Sequence, residues 1–185
     1  MTGSTRAKRP SWRRSVAAWS IAAPALAGLA ACSTFGTRQG TYTCPATTVV
    51  PELQSLVTIV PGANGATIQS SGRVNTLTAT CDRDGDTGVV SNLTIDFAGL
   101  RTTPAVAQLA LPYFVAVADA TGNILGKQQY TMILGFDPNA PVTKATDNVT
   151  VHLPLKNAQL GNIYTLVVGF QLTQSQLDYN RAHLQ

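Results

Sequence analysis

The sequence is poor in the residues on which most enzyme chemistry depends. Among its 185 residues there are two histidines and three cysteines. His152 stands between apolar neighbours, which is typical of a solvated strand position, and His183 is two residues from the end. Neither has the neighbours expected of a catalytic triad, and no spacing of His and Cys suits zinc. The sequence therefore predicts no catalytic residue and no cofactor, and we expect a protein that is not an enzyme.

Acidic residues are absent from the first 31 positions, which carry five basic residues and then an apolar stretch. This stretch runs from Val16 to Ala31 and is interrupted by Ser20 and Pro24. A membrane-spanning helix needs about 20 apolar residues, so a span is the less favoured interpretation. A basic head, a short apolar core and small residues before a cleavage point are typical of a secretory signal peptide. We expect residues 1–31 to be removed.

The leader ends in Leu29-Ala30-Ala31-Cys32, which resembles the lipobox of bacterial lipoproteins at all four positions. The resemblance implies that the Cys32 thiol receives a diacylglyceryl group, that the peptide is cut before Cys32, and that the new amine is acylated, for example with palmitate. One acyl chain binds a membrane only marginally, so two or three chains are needed for durable anchoring. Ser33 is not the aspartate that typically retains such proteins at the inner membrane. The resemblance therefore implies an outer-membrane lipoprotein that faces the periplasm.

The positive net charge of the chain belongs to its leader. Five of the 13 Lys and Arg residues precede Cys32, and all nine acidic residues follow it, so eight basic residues remain beside nine acidic ones. A nucleic-acid-binding protein needs a basic face that neutralises phosphates. We therefore expect no nucleic-acid partner.

The mature chain divides into a short tether and one domain. Residues 32–41 are mostly small and polar, which is typical of a flexible linker, and residues 42–185 are enough for a domain with its own core. Two cysteines remain in this domain, Cys44 and Cys81. Because the envelope beyond the inner membrane is oxidising, we expect them to form a disulfide, worth roughly 3–4 kcal/mol in the chain-entropy model. Two buried free thiols are the alternative.

Apolar and polar residues alternate with a period of two in several segments from Arg73 onward. Two such segments flank the turn at 82–86, two flank the turn at 119–123, and two more lie at 149–155 and 164–172. Short half-buried strands without helices between them favour an antiparallel β-sandwich. Pro112 and Pro154 should fall at edges, bulges or strand ends, because proline cannot donate a ladder hydrogen bond.

The segment from Val149 to Phe170 resembles the end of a fibronectin type III or immunoglobulin-like domain. In those domains a strand leads through a turn to a tyrosine that opens the next strand, and Tyr164 stands at that place, although the usual Pro-Gly is missing. The resemblance implies a hydrogen bond from the Tyr164 hydroxyl back to the backbone. It supports an all-β, antiparallel immunoglobulin/fibronectin III-like sandwich and carries no function.

The C-terminal residues predict a short helix from about Gln174 to Ala182. Thr173 followed by Gln176 forms a capping box, and Leu172 and Leu177 are placed for the hydrophobic staple around it. A helix of this length does not persist alone in water. It therefore either docks on the sandwich as a structural element or takes part in a partner contact.

The partner-contact hypothesis for this helix depends on a few residues. Leu177 and Leu184 share a face, Asp178 and Arg181 are spaced to pair, and Tyr179 and Arg181 are residue types favoured at binding hot spots. The candidate contact residues are Leu177, Tyr179 and Arg181. The ending GFQLTQSQLDYNR resembles the C-termini of small uncharacterised Gram-negative envelope proteins, with which no activity is associated.

Asp82, Asp84 and Asp86 form the best candidate for a ligand site, which would be a calcium site. An EF-hand-like loop needs a glycine after its third acid and a glutamate further on, whereas Gly85 comes too early and Leu93 stands at the glutamate position. A polar hairpin turn explains the same residues. We therefore expect no metal site.

Two functions from different classes fit these features. The first is an outer-membrane-anchored, non-catalytic binding or envelope-assembly module that offers a polar, weakly charged surface to an envelope protein or cell-wall partner. The alternative is a periplasmic carrier that holds a small apolar ligand between the two sheets. The sequence favours the first only because nothing in it indicates the second.

Overall fold

Alternating apolar residues build two four-stranded sheets that face each other. The structure is a computed structural model that describes residues 41–62 and 65–183. The strands are β1 Ala46–Val49, β2 Ser55–Gly62, β3 Gly65–Asp84, β4 Gly88–Arg101, β5 Gln108–Ala118, β6 Ile124–Gly135, β7 Val142–Leu153 and β8 Thr165–Phe170. Two 3-10 helices, Pro51–Leu53 and Ala158–Ile163, and the C-terminal helix α1, Gln174–His183, complete the described elements.

The strands form sheet 1, in the order β1-β8-β5-β6, and sheet 2, in the order β2-β3-β4-β7. The inward residues of both sheets form one apolar core, in which the Phe97 ring lies 5.0 Å from the Tyr113 ring and 6.0 Å from the Phe170 ring, centroid to centroid. The Tyr113 hydroxyl crosses the core and donates a 2.6 Å hydrogen bond to Oδ2 of Asp147. The predicted β-sandwich with a short C-terminal helix is confirmed.

One strand pairing departs from the predicted antiparallel arrangement. β1 runs parallel to β8, with Ala46 opposite Thr165, while the other pairings are antiparallel. Periodicity does not predict β1 or β2. β1 has only four residues, three of them small or polar, and β2 contains a register shift at Thr58/Ile59 that interrupts the alternation.

The strand order matches the immunoglobulin arrangement in part: strand D of constant-type domains has no counterpart among the described strands, and β2 and β6 are additional edge strands. Constant-type domains place strands A, B and E in one sheet and C, F and G in the other. Here β3-β4-β7 hold the A-B-E positions and β5-β8 hold C-F, while β1 lies where strand G is expected but in the parallel direction. After the F position the chain forms α1 instead of a further strand.

Tyr164 lies directly before β8, at the corner position that the resemblance implies, and its side chain packs against the core. The implied hydrogen bond is wrong, because the Tyr164 hydroxyl has no hydrogen-bond partner among the described residues. Thr43 takes its place in closing this turn: its hydroxyl donates to the Gln159 carbonyl at 2.7 Å, and its N–H donates to the Ala158 carbonyl at 3.1 Å. The N-terminal segment therefore stabilises the corner.

Both prolines lie where their missing N–H is tolerated. The β5–β8 ladder begins at Tyr113, so Pro112 lies just beyond its end, where its carbonyl still accepts from the Gln171 N–H at 2.9 Å. Pro154 directly follows the last residue of β7. This prediction is confirmed.

The structure joins Cys44 to Cys81, with their Cα atoms 5.9 Å apart, a separation that suits a disulfide. Cys44 precedes β1 at the edge of sheet 1, and Cys81 lies in β3 of sheet 2. The pair therefore links the two sheets beside the point where the described chain begins.

The leader, the lipobox with Cys32, the tether up to residue 40, and Leu184 lie outside the described residues. Within the described ranges, no helix combines the length and the apolar character needed to cross a membrane.

Candidate functional site

The outer face of sheet 2 carries a regular array of hydroxyl, amide and carboxylate side chains. Successive rows of residues lie side by side on β3, β4 and β7, for example Thr78, Thr94 and Asn148. We call the array the polar ladder; it consists of Thr76, Thr78, Thr80, Asn92, Thr94, Asp96, Thr146, Asn148 and Thr150.

Hydrogen bonds between strands hold the polar ladder in place. The Thr94 hydroxyl donates to Oδ1 of Asn148 at 3.0 Å, and the Thr150 hydroxyl donates to Oδ1 of Asn92 at 2.9 Å. Asp96 accepts from Thr146 at Oδ1 and from Thr76 at Oδ2. The hydrogen bonds from Thr146 and then Thr76 hold the pKa of the Asp96 carboxyl below its ordinary value. These side chains thus form a preorganised polar surface rather than a set of independent solvated groups.

At one end of the polar ladder, α1 and sheet 2 enclose a groove of about 560 Å³. Two rows of outward residues form its floor. One row is Ser55, Arg73, Ala98 and Lys144, and the next is Val57, Ser71, Leu100 and Val142. The first row is cationic at two positions and the second is largely apolar, so the groove has two chemically different sides.

The groove is basic. Arg73, Lys144 and His183 line it, and none of its other lining residues is acidic. Arg73 donates from Nη2 to Oδ1 of Asn75 at 3.0 Å. Within residues 41–62 and 65–183, neither Arg73 nor Lys144 forms a salt bridge. Neither charge is neutralised by a salt bridge among the described residues, although Lys144 lies near enough to Asp96 to contribute to the lowered pKa of that carboxyl.

Helix α1 forms the second wall of the groove because it docks on β2 and the preceding 3-10 helix. Nδ2 of Asn180, a buried residue, donates to the carbonyls of Glu52 and Ser55 at 2.8 and 2.7 Å, and Nε2 of Gln176 donates to the Val57 carbonyl at 2.7 Å. The capping box is confirmed: the Thr173 N–H donates to Oε1 of Gln176 at 2.9 Å, and the Gln176 N–H donates back to the Thr173 hydroxyl. The helix thus closes this part of the sandwich.

The three candidate contact residues of α1 have different surroundings. Tyr179 lines the groove and stacks on His183 with ring centroids 4.1 Å apart. Leu177 is half-buried, whereas Arg181 is exposed and does not line the groove. Asp178 accepts a hydrogen bond from Gln174 at 2.8 Å and forms no salt bridge with Arg181 in the described part of the chain.

The calcium candidate is not assembled. The described residues contain no group of three or more His, Cys, Asp or Glu side chains placed to hold a metal ion. Oδ2 of Asp84 lies 2.8 Å from Nδ1 of His152. The carbonyls of Gly85 and Asp86, which a bound ion would need, accept hydrogen bonds from the Arg83 guanidinium at 3.0 and 2.7 Å. The turn is therefore stabilised by its own arginine. His152 is an exposed strand residue, as predicted.

The groove lies far from the beginning of the described chain. Thr43 hydrogen-bonds to Gln159 in the corner before β8. Cys44 is joined to Cys81 in β3. Arg73 lies eight residues earlier in β3, which corresponds to about 26 Å at the rise of a strand. The groove is thus separated along sheet 2 from the point where Cys44 meets Cys81.

The groove residues carry no sequence signal that would identify them. Arg73, Ala98 and Lys144 are separated along the chain and become neighbours only through the register of three strands. Alternation predicts that each faces outward, but it does not predict which residue lies beside which. Strand pairing therefore had to be known before this site became recognisable.

Comparisons with known proteins add little to this description. No protein-family model matches the chain, and no curated protein does. Among solved structures, the crystal structure of a DUF1425 family member from Shewanella sp. pv-4 is similar over 63% of this chain and 99% of that chain, with 16% sequence identity and a TM-score of 0.32. A similarity at this level supports no conclusion about fold or function.

Proposed function

We propose that the mature chain is a lipoprotein anchored to the outer membrane through Cys32, facing the periplasm, and that it acts as a non-catalytic binding or envelope-assembly module. Its contact surface is the outer face of sheet 2, where the polar ladder leads into the groove. The observation that carries this proposal is the groove, a partly open cleft of about 560 Å³ lined by two basic side chains that form no salt bridge among the described residues. Ligand sites are usually clefts or cavities with a few convergent polar groups.

The position of the groove supports this role. The described chain enters the sandwich where Cys44 and Cys81 meet. The groove lies about 26 Å from this point along β3, at the rise of a strand. A partner in the periplasm or cell wall would reach it without approaching the lipid surface.

The carrier hypothesis has less support. The space between the sheets is occupied by side chains that are almost completely buried, including Phe97, Tyr113 and Phe170. The hydrogen bond from Tyr113 to Asp147 crosses this space. An apolar ligand between the sheets would have to displace this packing.

The anchor is tested by replacing Cys32 with Ala. We expect an unprocessed precursor without acyl chains, because no other residue supplies the thiol of the lipobox. The measurement is fractionation of cells followed by mass spectrometry of the protein, with Cys32→Ser as a second variant and Ser33→Ala as the matched control that keeps lipidation. A Cys32→Ala protein that still carries lipid in the outer membrane contradicts the anchor.

The contact surface is tested by photocrosslinking in intact cells. A photoreactive residue is placed at Thr78, in the polar ladder, or at Thr131, which is also an exposed threonine and lies on β6 of sheet 1. We expect a defined adduct with an envelope protein or with cell-wall material from position 78 and none from position 131. Adducts of equal yield from both positions, or from position 131 alone, contradict the proposed surface.

A further inference from the structure

We propose that the groove binds a small ligand that carries one oxyanion, a carboxylate or a phosphate, attached to an apolar group. This inference rests on the proposed function, since it assigns a ligand class to the contact surface named there. Arg73 and Lys144 supply the charge, and the adjacent apolar row supplies the remaining contact.

The two cations are spaced for a single anionic group. Arg73 and Lys144 lie in one row with Ala98 between them. Neighbouring strands are about 4.8 Å apart, so the two backbones are separated by about 10 Å. Because the residue between them is alanine, space remains above its methyl group for an oxyanion within reach of both long side chains. Guanidinium and ammonium groups are the usual protein donors to carboxylate and phosphate.

Helix α1 contributes a third nitrogen to the groove. Nδ1 of His183 lies 2.7 Å from the Tyr179 carbonyl oxygen. A carbonyl oxygen can only accept, so Nδ1 carries the proton. Nε2 of the neutral ring is then an acceptor, which can take a hydrogen bond from a hydroxyl group of the ligand but cannot donate to its oxyanion. The stacking of His183 on Tyr179 fixes the orientation of this ring.

Asp96 limits the number of charges that the ligand can carry. Lys144 lines both the groove and a smaller adjoining cavity of about 290 Å³, in which Asp96 is the acidic residue. Both oxygens of Asp96 accept hydroxyl hydrogen bonds, so the carboxylate is held in the polar ladder beside Lys144. A polyanion that extended along the ladder would meet this negative charge. The geometry therefore favours a ligand with its charge confined to the groove.

The second row of the floor selects the uncharged part of the ligand. Leu100 and Val142, which are 44% and 51% exposed, present apolar groups next to the cation row, whereas Val57 is only 5% exposed because α1 covers it. Burying exposed apolar area against a ligand is favourable because it removes that area from water. The groove volume lies in the range of about 300–1,000 Å³ that is typical of small-molecule sites.

The test uses fluorinated probes and the mature lipoprotein in nanodiscs of zwitterionic lipid. The probes are 4-fluorobenzoate, 4-fluorophenyl phosphate and the neutral 4-fluorobenzyl alcohol, and their binding is measured from fluorine NMR line widths. We compare the wild type with Arg73→Gln/Lys144→Gln. The control is Lys127→Gln/Lys156→Gln, which removes the same charge at exposed positions outside the groove.

We expect at least one of the anionic probes to bind at least tenfold more tightly than the alcohol, with this preference lost in Arg73→Gln/Lys144→Gln and kept in the control. Preference for the phosphate probe or for the benzoate identifies which oxyanion the site takes. Equal binding of all three probes, or equal loss in both double variants, overturns the inference. If the adduct from position 78 persists in Arg73→Gln/Lys144→Gln while anion binding is absent from the wild type, the inference fails and the proposed contact surface stands.

Discussion

The outer faces of the two sheets follow the same alternation of inward and outward residues but have different surroundings. On sheet 2, the outward side chains of β3, β4 and β7 are mostly polar and hydrogen-bond to one another in the ladder. On sheet 1, the outward Phe114 is only 8% exposed, because the Lys127 ammonium lies 4.1 Å from its ring centroid and Leu53 packs nearby over Gly169. One face remains open to a partner, while the centre of the other is covered by the chain itself.

The two outer faces differ because polar outward side chains remain exposed to water, whereas an apolar outward side chain is covered by other parts of the chain. A polar surface does not need covering, because its groups hydrogen-bond to each other and to water. An apolar outward residue such as Phe114 is stabilised when other parts of the chain remove it from water. The open face is therefore the better candidate for function, and the covered face is expected to contribute to stability.

The largest expected change in the free energy of unfolding follows from removing α1, which forms the wall of the groove on the open face. Truncation after Leu172 removes the hydrogen bonds of Gln176 and Asn180 to the backbone. Each contributes about 1 kcal/mol, and the helix also covers Val57, so we expect a loss of about 3 kcal/mol in the free energy of unfolding. The measurement is denaturant unfolding.

The matched control for this truncation ends the chain after His183, which keeps all of α1. We expect that shorter deletion to leave stability unchanged. Unchanged stability after truncation at Leu172 contradicts the closing role of the helix, and lost crosslinks without lost stability would make α1 a partner contact instead.

A smaller effect is expected from Gly169→Val on the covered face. A Cβ atom at Gly169 would lie 2.8 Å from Cβ of Leu53 and 3.3 Å from Cζ of Phe114. The 3-10 helix that carries Leu53 would have to move away, and such overpacking costs about 2 kcal/mol. Thermal unfolding measures the loss.

Gly135→Val is the control for this prediction, since a Cβ there has no heavy atom within 4 Å. We expect its melting temperature to stay close to that of the wild type. If the two valine variants are equally stable, Leu53 does not pack on the centre of sheet 1 as described.

The smallest effect concerns acid stability at the β5–β6 turn, next to the covered face. The hydroxyl of Thr121 and then the Asn123 N–H donate to Asp119 and lower the pKa of its carboxyl to about 2. Because the folded pKa lies below the ordinary value of 3.8, the stabilisation is present above that value and is lost as the pH falls towards 2.

Asp119→Asn should therefore lower stability at neutral pH and weaken the loss of stability between about pH 4 and pH 2. Asp137→Asn, at the β6–β7 turn, is the comparison. The measurement is chemical unfolding at a series of pH values, and an unchanged slope in Asp119→Asn contradicts the assigned role of the carboxylate.

Much of the sandwich could be predicted from the sequence, because alternation is a local property. The hairpins around the turns at 82–86 and 119–123, the placement of Pro112 and Pro154, and the capping box at Thr173 all depend on residues close together in the chain. β1 could not be predicted in the same way, because a four-residue strand is stabilised by its pairing with β8, which lies more than a hundred residues later.

The candidate site was less predictable because it also depends on residues that lie far apart in the sequence. The acidic cluster from Asp82 to Asp86 is conspicuous in the sequence, yet Arg83 bonds the carbonyls of Gly85 and Asp86 and the Asp84 carboxylate contacts His152. Arg73 and Lys144 are inconspicuous, yet strand register places them in one row. Sequence spacing identifies sites on a continuous segment, whereas this groove combines four strands and a helix.

The most direct test of the central claim is NMR of the protein labelled with ¹³C at its threonine methyl groups, recorded as a cell-envelope extract is added. Threonines of the polar ladder, such as Thr78 and Thr150, report on the open face, and Thr131 reports on sheet 1. We predict that signals of the ladder shift or broaden while the signal of Thr131 is unaffected. Changes confined to Thr131, or equal changes on both faces, would contradict the assignment of the open face as the contact surface.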